Sequence, residues 1–153
     1  MRIHLLSGPI RSGKTTRLQA WAGGQAGAAG LLMPTDAHGR YFRDLRSGLQ
    51  WPTAARPGDW QAQCLGPHRF SAAAFSWANH ALLGAAAAAG TQWLLVDEVG
   101  PLELRGAGLA PALRRILHEP AYQPPHLLLV VRTGLREAVV EHFALHRWTL
   151  TEF

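Results

Sequence analysis

At 153 residues, 48% of them hydrophobic, the chain has the size and apolar content of one domain with a continuous core, and a second folded domain has no room. A formal charge of +5 favours anionic partners (nucleotides, RNA and acidic lipids alike), but the cations are scattered, with Arg114-Arg115 the one adjacent pair, which excludes a basic nucleic-acid tail. The lone Cys64 excludes an intrachain disulfide and a Cys-x-x-Cys pair, and the lack of a signal-peptide core or a long apolar stretch points to a soluble, cytoplasmic protein that makes no membrane contact.

Residues 2–7, an apolar run closed by Gly8, predict a buried first strand, followed by a helix from Lys14 to about Ala22 that Gly23 and Gly24 end. "GLLMP", residues 30–34, predicts a second short strand closed by a proline that cannot donate to a ladder. Between about residues 39 and 66, three strand-like pieces separated by turn residues predict a small β-hairpin insertion. Ser71 as N-cap, an alanine-rich run and Gly90 beyond it predict a helix. "TQWLLVDEVGPLEL" predicts a buried strand running into a loop, and residues 109–118 a helix before the breaker "EPAYQPP". "HLLLVVR" predicts another buried strand, "GLREAVVEHF" a helix and "HRWTLTEF" a terminal strand. Apolar strands alternating with helices predict an α/β three-layer sandwich over residues 1–153, with a mostly parallel central sheet.

The phosphate chemistry centres on "SGPIRSGKTT". Gly8, Gly13, Lys14 and Thr15 satisfy G-x-x-x-x-G-K-[ST] after a predicted strand and at the start of a predicted helix, the context that motif requires. Lys14 is the chain's one lysine, and chance would place it in this pattern roughly once in a thousand shuffles of the composition. Glycine lets the backbone of residues 8–16 (Gly8, Pro9, Ile10, Arg11, Ser12, Gly13, Lys14, Thr15 and Thr16) curl so that its N–H groups face phosphates at the positive end of the helix. In that pattern the Lys14 ammonium reaches the β and γ phosphates and the Thr15 hydroxyl ligates Mg²⁺.

"WLLVDEVGPLEL" supplies the acids. An apolar strand ending in Asp97 brings a carboxylate to the sheet edge that carries the phosphate loop, where it becomes a ligand or supporting partner of Mg²⁺. Glu98, next in sequence, is placed to orient and deprotonate a water for attack on the γ-phosphorus. Acids also end strands for purely structural reasons, and it is the phosphate loop upstream that turns this pair towards catalysis.

"GPIRSGKTT" and "LLVDEVGPLEL", with "GLLMP" and a hairpin region between them, resemble the THEP1-type nucleoside-triphosphatase family in order and over most of the chain. The resemblance implies a P-loop fold related to RecA-like ATPases, and slow Mg²⁺-dependent hydrolysis of several nucleoside triphosphates, ATP and GTP included. It implies nucleotide binding through residues 8–15 and 94–101, Gly100 among them. The chain departs from the family where Ile10 and Arg11 replace small residues, where Met33, Thr35 and Asp36 only partly match the Thr-Pro-Glu-like segment, and where relatives continue past "LTEF".

Arg132 ends "HLLLVVR" at the same sheet edge, as a γ-phosphate sensor or as the partner of a surface acid such as Glu137. Glu103 is either a supporting acid or a solvated one. Arg40, Arg43 and Arg46 with Tyr41 and Trp51 form a basic, aromatic hairpin that reads first as a solvated edge, with a nucleotide cover or an RNA contact as alternatives. His142 and His146 have i,i+4 spacing but lack the H-E-x-x-H glutamate of a zinc site. The sequence favours a monomeric hydrolase of low base selectivity, since no Asn-Lys-x-Asp segment is present. Its rivals are a small-molecule kinase, because "RSGK" also resembles the loop of adenosylcobinamide kinases, and a nucleotide-dependent accessory or RNA-binding module.

Overall fold

A computed structural model describes residues 1–9 and 12–153; Ile10 and Arg11, which the sequence assigns to the phosphate loop, lie outside the described residues. In chain order the strands are β1 (Arg2–Gly8), β2 (Ala28–Leu32), β3 (Thr35–Asp36), β4 (Gly39–Asp44), β5 (Gln50–Pro52), β6 (Gln63–Leu65), β7 (His68–Phe70), β8 (Trp93–Val99), β9 (His126–Arg132) and β10 (Thr149–Glu152). The helices are α1 (Lys14–Gly23), α2 (Ala72–Ala87), α3 (Pro101–Leu104), α4 (Ala110–His118) and α5 (Arg136–His142).

The main sheet runs β10-β1-β9-β8-β2-β4-β3, with β5 added alongside β4. From β10 to β2 every neighbouring pair is parallel, whereas β4 joins β2, β3 and β5 antiparallel. At the centre of the parallel part, β1, β9 and β8 bury apolar side chains on both faces because both faces are covered. On one face Leu6, Leu95, Leu128 and Val130 pack under Leu18 and Ala22 of α1. On the other, Leu5, Val96, Leu129 and Val131 form a larger core with residues of α2, α4 and α5. The result is the expected three-layer α/β sandwich. β9 lies between the strand that feeds the glycine loop before α1 and the strand that carries the acids.

Three expectations need correction. The insertion is longer than residues 39–66: it begins with β3, and β6 and β7 close a separate two-stranded hairpin that ends at Phe70. The segment after β8 is not a loop, because Pro101 at the first helical position starts the short helix α3. The last helix is divided, a 3-10 turn at Thr133–Leu135 preceding α5. Ser71 caps α2 as its position suggests, its hydroxyl accepting from the Ala74 N–H at 3.2 Å. Trp51 stacks on Trp77 of α2, with ring centroids 5.7 Å apart, and so ties β5 to the helical layer. Among the described residues no helix is long and apolar enough to cross a membrane.

Gly30 makes the parallel pairing of β2 with β8 possible. It sits at φ +118°, and a Cβ there would stand 2.1 Å from the Leu95 carbonyl oxygen and 2.7 Å from the Leu95 nitrogen. Both the strained backbone and the clash oppose any side chain. Gly30→Ala is expected to destabilise the chain by about 3 kcal/mol or more. Urea unfolding should show the midpoint falling, and an unchanged midpoint would contradict the close approach.

Candidate functional site

Main-chain periodicity aims the acids of β8. Successive side chains of a strand point to opposite faces, so Trp93, Leu95 and Asp97 look towards α1 while Leu94 and Val96 look towards α2 and α4. Asp97 pairs in register with Val130 of β9, and Val130 with Leu6 of β1, which sets the carboxylate on the α1 face one strand away from β1. There its Oδ2 accepts from the Thr15 hydroxyl at 2.7 Å and from the Met33 N–H at 3.1 Å. The side chain is only 2% exposed. Burial pushes the Asp97 carboxyl above its usual range; the Thr15 and Met33 bonds and the nearby Lys14 charge pull it partly back, while the charge of Glu98 adds to the rise.

The loop beneath is built by its glycines and its lysine. Gly13 caps α1 in the left-handed region at φ 77°. A Cβ on Gly8 would sit 3.1 Å from Ser12 Oγ and 3.2 Å from Lys14 Cδ, in the space that the lysine stem uses. The Lys14 ammonium donates to the Gly8 carbonyl at 2.9 Å, to the Pro9 carbonyl, and to Ser12 Oγ at 3.3 Å. Its three protons are thus directed into the mouth of the loop. Thr16 is exposed on the first turn of α1 and faces the same cleft.

Glu98 breaks the alternation. Strict periodicity would send its side chain into the α2/α4 core, but the β8–β9 register shifts between Asp97 and Val99, and Glu98 takes φ 93°. Val99 then returns to the core and the Glu98 carboxylate emerges at the sheet edge. Two arginines hold it there. Arg132 donates to Oε1 through Nη2 at 2.7 Å and Nε at 3.1 Å, and Arg40 Nη1 lies 3.3 Å from Oε2. Arg132 therefore pairs with Glu98 and not with Glu137, and Arg40 is the one cation of the basic hairpin that reaches the site, for neither Arg43 nor Arg46 lines it.

The remaining candidates separate clearly. Glu103 is 4% exposed, so the solvated reading is wrong. Its Oε2 accepts from the Gly100 N–H at 2.8 Å and its Oε1 from the Leu109 N–H at 2.9 Å, which braces the turn on both sides of α3. Burial raises this carboxyl also. Gly100, expected as a nucleotide contact, spends its N–H on that brace and lines a small cavity behind Glu98 instead of the main cleft. His142 ends α5 whereas His146 lies in a following 3-10 turn, beyond Ala144 at φ 49°, so the two do not share a helix face.

The main cleft measures about 1120 Å³. Lys14, Thr15, Asp97, Glu98 and Arg132 form its floor, and the β6–β7 hairpin faces them with Leu65, His68, Arg69 and Phe70. The first strand of that hairpin falls within the strand-like pieces read from the sequence, but β7 and the wall that it forms with β6 do not, since β7 has only three residues and two of them are polar and exposed. Such a cleft presents fixed cations, a buried acid beside a hydroxyl and an acid at the rim, an arrangement suited to a polyanion.

No family model matches the chain, and no curated protein does. Two solved structures are similar. The crystal structure of THEP1 from the hyperthermophile Aquifex aeolicus aligns with a TM-score of 0.64 at 15% identity, over 99% of this chain and 89% of that one. The solution structure of a human cancer-related nucleoside triphosphatase aligns with a TM-score of 0.68 at 22% identity, over 100% of this chain and 88% of that one. At these identities the likeness establishes the fold alone, a mixed α/β architecture with a largely parallel central sheet.

The buried Asp97 makes a pH prediction. A carboxyl raised by folding holds its proton more tightly in the folded chain, so its contribution to stability is greatest below the unfolded value of about 4. That contribution falls as pH rises through the interval up to the raised folded value, and is constant above it. Asp97→Asn removes this share. The loss of unfolding free energy between about pH 3 and neutrality, measured by urea titration, should be smaller in the variant than in the wild type, and an equal loss would contradict the assignment.

Proposed function

We propose that the chain is a Mg²⁺-dependent nucleoside triphosphatase that hydrolyses ATP, GTP and other nucleoside triphosphates to diphosphate and phosphate with low base selectivity. The observation that carries this reading is the 2.7 Å bond from Thr15 Oγ1 to Asp97 Oδ2 at the foot of a glycine-built loop. It joins a phosphate-facing helix start to an acid on a different strand, which a merely structural glycine turn has no reason to do.

The donor set suits Mg²⁺. A hydroxyl and a carboxylate oxygen within hydrogen-bond distance are hard ligands for a small cation that keeps most of its sphere for water and phosphate oxygens. For the same reason the lack of a cluster of three His, Cys, Asp or Glu among the described residues is no obstacle. Thr15 and Asp97 would hold the cation, which would supply charge neutralisation for the phosphates.

The protein's own groups supply the rest. Lys14 exchanges its carbonyl acceptors for phosphate oxygens, which are anionic and form stronger bonds. The N–H groups of Ser12, Gly13, Lys14, Thr15 and Thr16 cradle the phosphates at the positive end of α1. Arg132 lies beside Glu98 at the rim, within reach of charge that develops on the γ-phosphoryl group. Glu98 orients the attacking water and accepts its proton, a role that general-base catalysis values at about 10²–10⁴-fold in rate. Leu65, Gly66 and Phe70 on the facing wall offer apolar and aromatic surface and little hydrogen-bond readout, which agrees with low base selectivity.

One observation favours a second reading. The cleft, at about 1120 Å³, is larger than the 300–1,000 Å³ of an ordinary small-ligand site, and the space under the β6–β7 hairpin has room for a phosphoryl acceptor. A kinase would then transfer the γ-phosphoryl group to that acceptor instead of to water.

Phosphate release from ATP, GTP, CTP and UTP with Mg²⁺ separates these readings when nucleotide binding is measured alongside. The wild type should turn over all four, chelation of Mg²⁺ should stop it, and Glu98→Gln should bind nucleotide yet lose about 10²-fold or more in rate. Wild-type binding without phosphate release would overturn the hydrolase reading, and formation of diphosphate without free phosphate on addition of an acceptor would establish the kinase.

A further inference from the structure

Arg40 stands out because it comes from the insertion, whereas the charged groups of the floor come from the start of α1 (Lys14) and from the parallel strands β8 and β9 (Asp97, Glu98 and Arg132). We propose that Arg40 is a γ-phosphate-binding residue, held on Glu98 in the nucleotide-free chain and passed to the terminal phosphate of a bound triphosphate, so that the insertion distinguishes triphosphate from diphosphate. This rests on the cleft being a nucleoside-triphosphate site.

The geometry around Glu98 is unequal. Arg132 grips Oε1 through two nitrogens at 2.7 and 3.1 Å, whereas Arg40 holds Oε2 through one nitrogen at 3.3 Å, beyond the usual range for a good N–H···O bond. Arg40 is thus the weaker tether and the one that exchanges. Its backbone does not need to move, because the Arg40 carbonyl accepts from both the N–H and the hydroxyl of Thr53, each at 3.0 Å. Only the side chain, about a third exposed, has to swing.

Charge points the same way. The cleft sets Lys14, Arg40, Arg69 and Arg132 against Asp97 and Glu98, an excess of cations. Arg69 already donates to the Asp59 carbonyl at 2.7 Å, which leaves Arg40 as the guanidinium of the facing wall best placed to move. A terminal phosphate offers several anionic oxygens in the planar spacing that a guanidinium matches, and outbids a single carboxylate oxygen. A diphosphate lacks that group, so with diphosphate bound Arg40 stays on Glu98. Release of Arg40 also frees Oε2 to accept a hydrogen bond from water. The positive φ at Glu98 fits this arrangement, for the strain keeps the carboxylate at the rim, where both arginines reach it.

The test is equilibrium binding by calorimetry, with Mg²⁺, of a β,γ-imido nucleoside triphosphate and of the matching diphosphate. The proteins are the wild type, Arg40→Ala, Glu98→Gln and the double variant, each checked for folding by thermal melting. Arg40→Ala should weaken the triphosphate analogue about tenfold or more and the diphosphate less than about threefold. Glu98→Gln, which releases the tether, should tighten the analogue about threefold or more with little change for diphosphate, and that gain should vanish in the double variant. Equal effects of Arg40→Ala on both nucleotides, no effect on either, or a Glu98→Gln variant with unchanged analogue affinity would overturn the proposal. Because the imido analogue is not hydrolysed, the asymmetry can hold even if phosphate release fails, and a wild type that binds neither nucleotide overturns the cleft assignment before any variant is made.

Discussion

The site depends on one buried carboxylate. Asp97 pays for its removal from water with two donors, the Thr15 hydroxyl and the Met33 N–H, and each donor comes from a different element. That acid therefore ties the end of β8 to the first turn of α1 and to the exit of β2. β9 fills the gap between β8 and β1, so that Thr15 crosses above Val130 to reach its acceptor. Moving any of the three elements would leave a charge or a dipole buried and unpaired, which costs more than most single packing defects.

A second constraint follows from the first. Once Asp97 faces α1, the next residue of a regular strand must face the opposite core, a poor place for an acid. The bulge at Glu98 resolves this conflict by inserting a residue with positive φ, returning Val99 to the core and turning the Glu98 carboxylate outward. Behind it, Glu103 seats the following turn by accepting the Gly100 and Leu109 N–H groups. Gly108 leaves space for that seat, since a Cβ there would come within 2.1 Å of Glu103 Oε1. In front, the insertion delivers Arg40 from β4 and closes the cleft with β6 and β7. The parallel core supplies a rigid floor, and the antiparallel insertion supplies the wall that faces it.

Much of the floor is legible in the sequence because its signals are local. Continuous apolar runs mark β1, β8 and β9, a glycine loop with the one lysine marks the start of α1, and Ser71 marks the start of α2. The Asp97 contact with Thr15 is readable as a pairing of motifs, though the two residues are 82 positions apart. Other features resist such reading for physical reasons. The bulge is a property of how β8 pairs with β9 and leaves no residue signature at Glu98. Arg40 sits among other arginines of similar appearance, and register alone selects it. Glu103 looks like a loop acid because the two N–H groups it accepts are buried by tertiary packing. β6 falls in a strand-like piece of the sequence, but its partner β7 has three residues, too few for periodicity to register, so the pairing that makes the wall is not readable.

The most direct measurement is a structure of the chain with Mg²⁺ and a β,γ-imido nucleoside triphosphate. The account predicts phosphates lying in the loop of residues 8–16, the Lys14 ammonium moved from the Gly8 and Pro9 carbonyls to β and γ oxygens, and a cation beside Thr15 Oγ1 and Asp97. A nucleotide bound elsewhere, with Lys14 still on those carbonyls and Thr15 still bonded directly to Asp97, would contradict it.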